Sequence, residues 1–298
     1  MKNLSNANFP MDAEARTYHV GTRHGEVANR IVTVGDPARA RRIASLFDTT
    51  SKPTEIESKR GFVTITGTYM NQPVSVIAIG MGMPVADMMV REVRAITEGP
   101  LLMIRFGSCG AIGEKGDVGK IAVAKEGAIM ISKNFDHWNN IYEGHEGEEA
   151  AKDPYVMSKV CPADKVLSEN LVASLHATIG EDNVFTGINA TADSFYSSQG
   201  RLTDDLGDEN QKLIDDIINR YPECQTLEME SGMILHLAQC CTHEFKTHEN
   251  HKGPIRAAAC AMVFANRKNN AFIDGDIVEK LELEAGKAVL DALVNTSL

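Results

Sequence analysis

The 298-residue chain has no long hydrophobic run. Its longest apolar stretches, residues 74–82 and 100–104, fall far short of the roughly 20 residues that a membrane-spanning helix needs. Positive charge is also scarce, with 30 Lys and Arg against 41 Asp and Glu, a formal net charge of -11. That balance lacks the basic stripe of a nucleic-acid binder, and an anionic membrane surface would repel it. Any anionic ligand must be held locally, by Arg side chains and backbone N–H groups working against the overall field. Cysteine is sparse: Cys109, Cys161, Cys224, Cys240, Cys241 and Cys260 are scattered, mostly in apolar contexts. This suits free thiols in a reducing cytosol better than a disulfide framework. There is no internal repeat and no low-complexity tract. The two commonest phosphate loops are missing too, since neither a Gly-Lys-Ser/Thr sequence nor a G-x-G-x-x-G spacing occurs.

What the chain does have is alternation. Residues 30–34 form a β-rich run, followed by Gly35-Asp36-Pro37 and an amphipathic helix over 38–47. Strands are predicted over 62–69 and 73–79. A helix over 84–97 comes next, with Pro84 in its first turn, where a missing N–H costs nothing. Strands over 101–106 and 120–124, a helix over 163–179, a strand over 183–189 and a helix over 211–220 continue the pattern. A helix over 232–241, a strand over 256–264 and a long helix over 277–293 complete it. Strands separated by helices predict an α/β fold with a central mixed sheet flanked by helices. No linker splits the alternation, so residues 17–298 are expected to form a single domain behind a flexible tail at 1–16, whose start lacks the apolar segment of a signal peptide. Two polar segments, 136–159 and 242–254, read as surface insertions.

Ligands of open α/β folds sit where strand ends meet helix starts, because free N–H groups and glycines gather there. Three places qualify: Gly35-Asp36-Pro37 with Arg39, Gly80-Met81-Gly82-Met83-Pro84, and Arg105-Phe106-Gly107-Ser108-Cys109-Gly110. Each alone reads either as ordinary strand-to-helix punctuation or as an oxyanion site, with phosphate the leading ligand. Their order, together with Tyr18-His19-Val20-Gly21, Lys59-Arg60-Gly61-Phe62, Asp193-Ser194-Phe195-Tyr196-Ser197-Ser198-Gln199-Gly200-Arg201, Leu227-Glu228-Met229-Glu230-Ser231 and Ala265-Asn266-Arg267, resembles the uridine phosphorylase branch of the nucleoside phosphorylase-I family. The resemblance spans about residues 18–293.

The resemblance implies a nucleoside phosphorylase-like fold whose sheet closes in part into a barrel. It implies a cytoplasmic pentosyltransferase of pyrimidine salvage that converts uridine and phosphate to uracil and ribose 1-phosphate. Gly35, Arg39, Arg105 and Ser108 match the family's phosphate ligands, and Arg60 matches an Arg supplied by a neighbouring subunit. His19 matches a His, also from the neighbour, that binds the ribose 5′-hydroxyl; Glu230 matches the carboxylate gripping the 2′- and 3′-hydroxyls, with Met229 under the sugar. Phe195 matches the aromatic against the base, Gln199 and Arg201 the pair that reads uracil, and Arg267 an Arg supporting that pair. A homodimer with shared sites and no cofactor beyond the phosphate co-substrate is expected. Gly61 stands where bacterial relatives carry a cation-binding Glu, so no metal is expected. Met83 and Val85 replace a Gly and a Ser, and Ser197-Ser198 replaces a Pro-Gly.

These residue types suit that chemistry. Negative charge developing on a departing uracil spreads over its O2–N3–O4 edge, which an Arg–Gln pair can meet. Arginines hold and orient an already anionic nucleophile, so positioning is their main task. Two rivals are a purine nucleoside phosphorylase, which the resemblance associates with Asp at the position of Asn266, and a nucleoside-binding protein without turnover. Cys240, Cys241, His243, His248 and His251 fit no standard zinc spacing, and Glu143, Glu146, Glu148 and Glu149 lack a calcium-loop pattern; both groups read as solvated surface.

Overall fold

In the computed structural model, which describes residues 4–144, 153–243 and 252–298, the alternation begins with the buried strand Arg30–Val34 (β1). Asp36 caps Pro37–Ala44 (α1), its carboxylate accepting from Arg39 N at 3.1 Å. The cap and the Pro in the first turn fix the helix start beside the end of β1. Thr54–Glu57 (β2), Val63–Tyr69 (β3) and Gln72–Ala78 (β4) pair antiparallel in sequence order. Met83–Ile96 (α2) starts from Gly82, whose φ of 105° is open to glycine and not to L side chains. Leu101–Ala111 (β5) and Ile121–Lys133 (β6) are the long central strands. Phe135–Tyr142 (α3), Tyr155–Met157 (β7), Lys165–Ile179 (α4) and Val184–Ala192 (β8) come after them. Beyond the 3-10 turn Ser197–Gln199 lie Leu213–Arg220 (α5), Cys224–Glu228 (β9), Ser231–Thr242 (α6), Ile255–Asn266 (β10) and Gly275–Val294 (α7).

All ten strands of the described residues belong to one mixed sheet, ordered β10-β6-β8-β9-β5-β1-β4-β3-β2, with β7 on β6 and β10 also pairing with β5. The β10–β5 pairing closes β5, β9, β8, β6 and β10 into a ring, and β1, β4, β3 and β2 extend from it as an open wing. Alternate residues of β5 face opposite sides, as strand geometry dictates. Leu102, Ile104 and Phe106 pack with Ile43, Leu171 and Val289 of α1, α4 and α7. Leu101 and Met103 pack with Met89, Val93 and Ile234 of α2 and α6. The sheet is thus covered on both faces, which explains why β5 reads as a continuous apolar run.

Besides adding the strands β2 and β9, which the sequence pattern does not predict, the structure departs from the sequence-based expectation in three places. The strand expected to end at Phe106 runs on to Ala111, so Gly107, Ser108, Cys109 and Gly110 lie within β5 and pair along β10. The strand expected over 120–124 continues to Lys133 through a register shift between Val123 and Gly127. Gly127 has a φ of 112°, and a Cβ there would lie 2.1 Å from Cys161 O. Within the polar segment 136–159, α3 and β7 contribute buried His137, Trp138 and Tyr155. Residues 145–152 and 244–251, including Glu146, Glu148, Glu149, His248 and His251, lie outside the described residues. Among the described residues no group of three or more His, Cys, Asp or Glu side chains could hold a metal ion.

Candidate active site

A cleft of about 790 Å³ opens where the ends of β1, β9 and β10 and the outer half of β5 meet the first turns of α1, α6 and α7. Of the residues singled out from the sequence, Gly35, Arg39, Arg105, Ser108, Phe195, Gln199, Arg201, Met229 and Glu230 line it together.

Arg105 lies on β5, and its Nη2 donates to Glu230 Oε2 at 2.7 Å, with both side chains buried. Its Nε and Nη1 are buried without a hydrogen-bond partner among the described residues. A buried guanidinium with two unused donors carries the desolvation cost of both, so the geometry suits an anionic ligand. Glycine backbone closes around it: a Cβ on Gly35 would lie 3.4 Å from Gly80 O and 3.6 Å from Arg105 Nη2, and one on Gly107 would lie 3.4 Å from Arg105 Nε. Arg39, in the first turn of α1, donates from Nε to Glu282 Oε1 on α7 at 2.8 Å. Its guanidinium carbon lies 5.7 Å from the Phe106 ring centre and 5.9 Å from that of Phe264, and burial lowers its pKa despite Glu282. One turn on, Arg42 donates to the other oxygen of Glu282 and, at 3.0 Å, to Glu279. Three guanidiniums are thus paired with two of the three buried carboxylates that line the cleft, Glu230 and Glu282, the third being Glu228.

Glu230 sits where β9 turns into α6, and Glu228 holds that turn. Glu228 Oε1 accepts from Asn189 Nδ2 at 2.6 Å and Thr191 Oγ1 at 2.5 Å. Its Oε2 accepts from the N–H groups of Glu230 and Ser231, both at 2.8 Å, and from Ser231 Oγ at 3.0 Å. A carboxylate satisfying the first free N–H groups of a helix is well placed electrostatically. Glu230 Oε1 accepts from Gly82 N. Burial pushes the Glu230 carboxyl upward, against the opposing pull of Arg105. Met229, half-buried between the two carboxylates in sequence, lines the same wall.

At the other end of the cleft, Arg201 Nη1 donates to Gln199 Oε1 and to Phe195 O, each at 2.6 Å. Its guanidinium carbon stacks 3.7 Å from the Phe195 ring centre. Burial, assisted by the neighbouring charge of Arg267, pushes the Arg201 pKa down to about 10. Arg267 stands behind the turn, donating to Gln199 O at 2.9 Å and Gly200 O at 3.0 Å.

His19 and Arg60 do not line this cleft. They cluster around Tyr18: the Arg60 guanidinium lies 4.7 Å over its ring and donates to its hydroxyl, and the His19 ring packs 4.8 Å from it edge-on. Glu92 fixes this corner from α2, with its Oε1 2.6 Å from His19 Nδ1, while its carboxylate accepts from the N–H groups of His19 and Val20.

Sequence reasoning missed Arg42, Glu228 and Glu282. Glu228 was within reach, two residues from Glu230 at the strand end. Glu282 had no local signal, because it is one of several carboxylates along an amphipathic helix and only the fold brings it to Arg39.

Residues 29–245 match the sequence model described as the phosphorylase superfamily. A uridine phosphorylase of Thermococcus kodakarensis is 31% identical over 268 residues, 89% of this chain and 83% of that protein. A DeoD-type purine nucleoside phosphorylase of Oceanobacillus iheyensis is 30% identical over 221 residues, 74% of this chain and 80% of that protein. Among solved structures, a uridine phosphorylase of the oomycete Phytophthora capsici superposes with a TM-score of 0.88 at 38% identity, covering 99% of this chain and 100% of that one. A nucleoside phosphorylase of Trypanosoma brucei shares the fold, with a TM-score of 0.76 at 21% identity over 97% of this chain and 100% of that one.

Proposed function

The chain belongs to the phosphorylase superfamily, and from that premise we propose that its cleft carries out the phosphorolysis of uridine, giving uracil and ribose 1-phosphate. The observation that carries this reading is the pairing of Gln199 with Arg201, stacked on Phe195, at one end of a cleft whose other end holds Arg39 and Arg105. Phosphate is the co-substrate; Gly35, Arg39, Arg105 and Ser108 bind it, the unpartnered Nε and Nη1 of Arg105 supplying two of the donors. Positioning is what this nucleophile needs, since it arrives already anionic. Glu230 accepts from the paired ribose hydroxyls over Met229 and, ionised, favours positive charge on the sugar as the glycosidic bond breaks. Arg201 and Gln199 take up the negative charge on the departing base, acting where charge develops. Arg267 keeps their turn in place through two backbone carbonyls. The chemistry needs no metal or organic cofactor.

The Tyr18 corner, outside its own chain's cleft, supports a homodimer in which Arg60 and His19 serve the neighbouring site. An intracellular, cytoplasmic setting is supported by six free thiols, and no helix of the described residues is long and apolar enough to cross a membrane. The net charge of -11 speaks against nucleic acid as a partner. A purine enzyme would share the phosphate and ribose contacts. Here Asn266, where that branch is expected to carry Asp, donates to Gly116 O and Asp117 Oδ1 at 3.4 Å and is not among the cleft-lining residues. The deciding experiment is a phosphate-dependent panel over uridine, deoxyuridine, thymidine, inosine and adenosine. Uridine should be among the best substrates; turnover of inosine or adenosine without uridine would establish the purine reading, and binding of uridine without turnover would leave a carrier.

A further inference from the structure

We propose that Asn210 is a positioning residue for the leaving base, fixing the turn that presents Gln199 and Arg201, and that the polar segment around α3 and β7 exists to hold Asn210 there. The inference rests on the base-reading role proposed for that turn. Ser197–Gln199 is a single 3-10 turn, too short to be held by its own hydrogen bonds. It is followed by Gly200 at φ 61° and ψ 32°, where a Cβ would lie 3.1 Å from the Ile214 side chain. Two side chains supply the missing rigidity by gripping four carbonyls. Arg267 takes those of Gln199 and Gly200. Asn210 Nδ2 donates to those of Ser197 and Arg201, each at 2.9 Å. Asn210 is only 3% exposed, so these bonds meet little competition from water; losing them would strand the Arg201 carbonyl and leave that of Ser197 with the Gly200 N–H alone.

Asn210 is itself anchored through the three residues before it. Gly207 O accepts from Trp138 Nε1 at 2.9 Å. Asp208 O accepts from Tyr155 Oη at 2.6 Å, and its carboxylate pairs with Lys133 Nζ at 2.7 Å. Glu209 Oε2 lies 2.9 Å from His137 Nε2, and its φ of 45° is an uncommon left-handed value for a residue other than glycine. Each contact comes from the end of β6, from α3 or from β7, the segment that interrupts the regular alternation of strand and helix. On this reading the segment is the outer half of the base-recognition apparatus.

The test compares wild type with Asn210→Ala, Asn210→Asp and Trp138→Phe for kcat and KM toward uridine, KM toward phosphate, and melting temperature. Asn210→Ala should lower kcat/KM for uridine about tenfold or more, leaving the phosphate KM within about twofold, while the melting temperature falls by only a few degrees. Asn210→Asp, which turns a carboxylate toward two carbonyl oxygens, should be worse than Ala at neutral pH. Trp138→Phe, which keeps a ring but deletes the Gly207 bond, should fall in the same direction by a smaller factor. A wild-type enzyme inactive on uridine would overturn both this proposal and the functional reading beneath it. An active wild type whose Asn210 variants keep uridine kcat/KM within twofold, or lose uridine and phosphate parameters in equal measure, would overturn this proposal alone. If Asn210→Ala does not fold, Trp138→Phe decides by the same criteria.

Discussion

Replacing Arg201 with Ala strikes the proposed base site at its centre, and the structure sets the size of the effect. Arg201 already commits Nη1 to Gln199 Oε1 and Phe195 O, both at 2.6 Å, and stacks at 3.7 Å on Phe195. The substitution therefore removes a charged donor facing the leaving base and also releases the Gln199 amide from its partner. A hydrogen bond to a charged group contributes about 1.5–3 kcal/mol; at 1.36 kcal/mol per tenfold, the upper figure corresponds to roughly a hundredfold in rate. Loss of Gln199 orientation adds to it, so kcat/KM for uridine should fall at least about a hundredfold, comparable to deleting one donor of an oxyanion site. Arg201→Lys, which keeps the charge and loses the planar fork, should lie between wild type and Ala. Because Arg201 is half-buried in a loop and its bonds go to an amide and a carbonyl rather than a carboxylate, the melting temperature should barely move. The assay is continuous absorbance of uridine against uracil at saturating phosphate, with a melt of each variant alongside. A folded Arg201→Ala enzyme with kcat/KM for uridine within threefold of wild type would refute the reasoning.

Other parts of the cleft give three further expected outcomes. Glu282→Ala leaves the buried Arg39 and the half-buried Arg42 without their shared carboxylate; removing one partner of a buried pair costs about 3–5 kcal/mol, so the melting temperature should drop by several degrees, with saturating phosphate restoring part of the loss by mass action. An unchanged melt, or no response to phosphate, would contradict the charge arrangement. Burial raises the Glu230 pKa; the carboxyl is protonated below that pKa and ionised above it, so activity should be lost as pH falls through a value above the ordinary 4.3 or so of Glu. Glu230→Gln should abolish that acid limb, and a limb identical in the variant would assign it to another group. Finally, co-refolding Arg60→Ala with Glu230→Ala chains should restore about a quarter of wild-type activity, since about half the dimers are mixed and each of these has one intact site; activity no higher than the parental average would mean that Arg60 serves no neighbouring site.

The parts of this molecule legible in its sequence are those governed by local rules. The Asp36 cap and Pro37 mark the start of α1, the long apolar run marks β5, and the motif around Gln199 and Arg201 marks a loop that lines the cleft. Structure set by distant contacts was not legible. β9 reads Cys-Gln-Thr-Leu-Glu, with no alternation, because its polar side chains are buried and satisfied from elsewhere, as Asn189 and Thr191 satisfy Glu228. β6 lost its signal at Lys125-Glu126-Gly127, where the register shifts and two charged residues are exposed, although the strand resumes beyond. The segment around Trp138 looked like surface because its composition is polar. Its buried members work through hydrogen bonds to residues 207–209, between 53 and 72 positions away, a distance no periodicity spans.

The central claim is that this cleft uses phosphate, rather than water, to take the base from uridine. Product analysis by phosphorus and proton NMR tests it most directly, following uridine with inorganic phosphate and, in parallel, in phosphate-free buffer. Uracil and ribose 1-phosphate should appear in equal amounts as phosphate is consumed, and the phosphate-free sample should stay unchanged. Free ribose in place of ribose 1-phosphate, or equal cleavage without phosphate, would contradict the account.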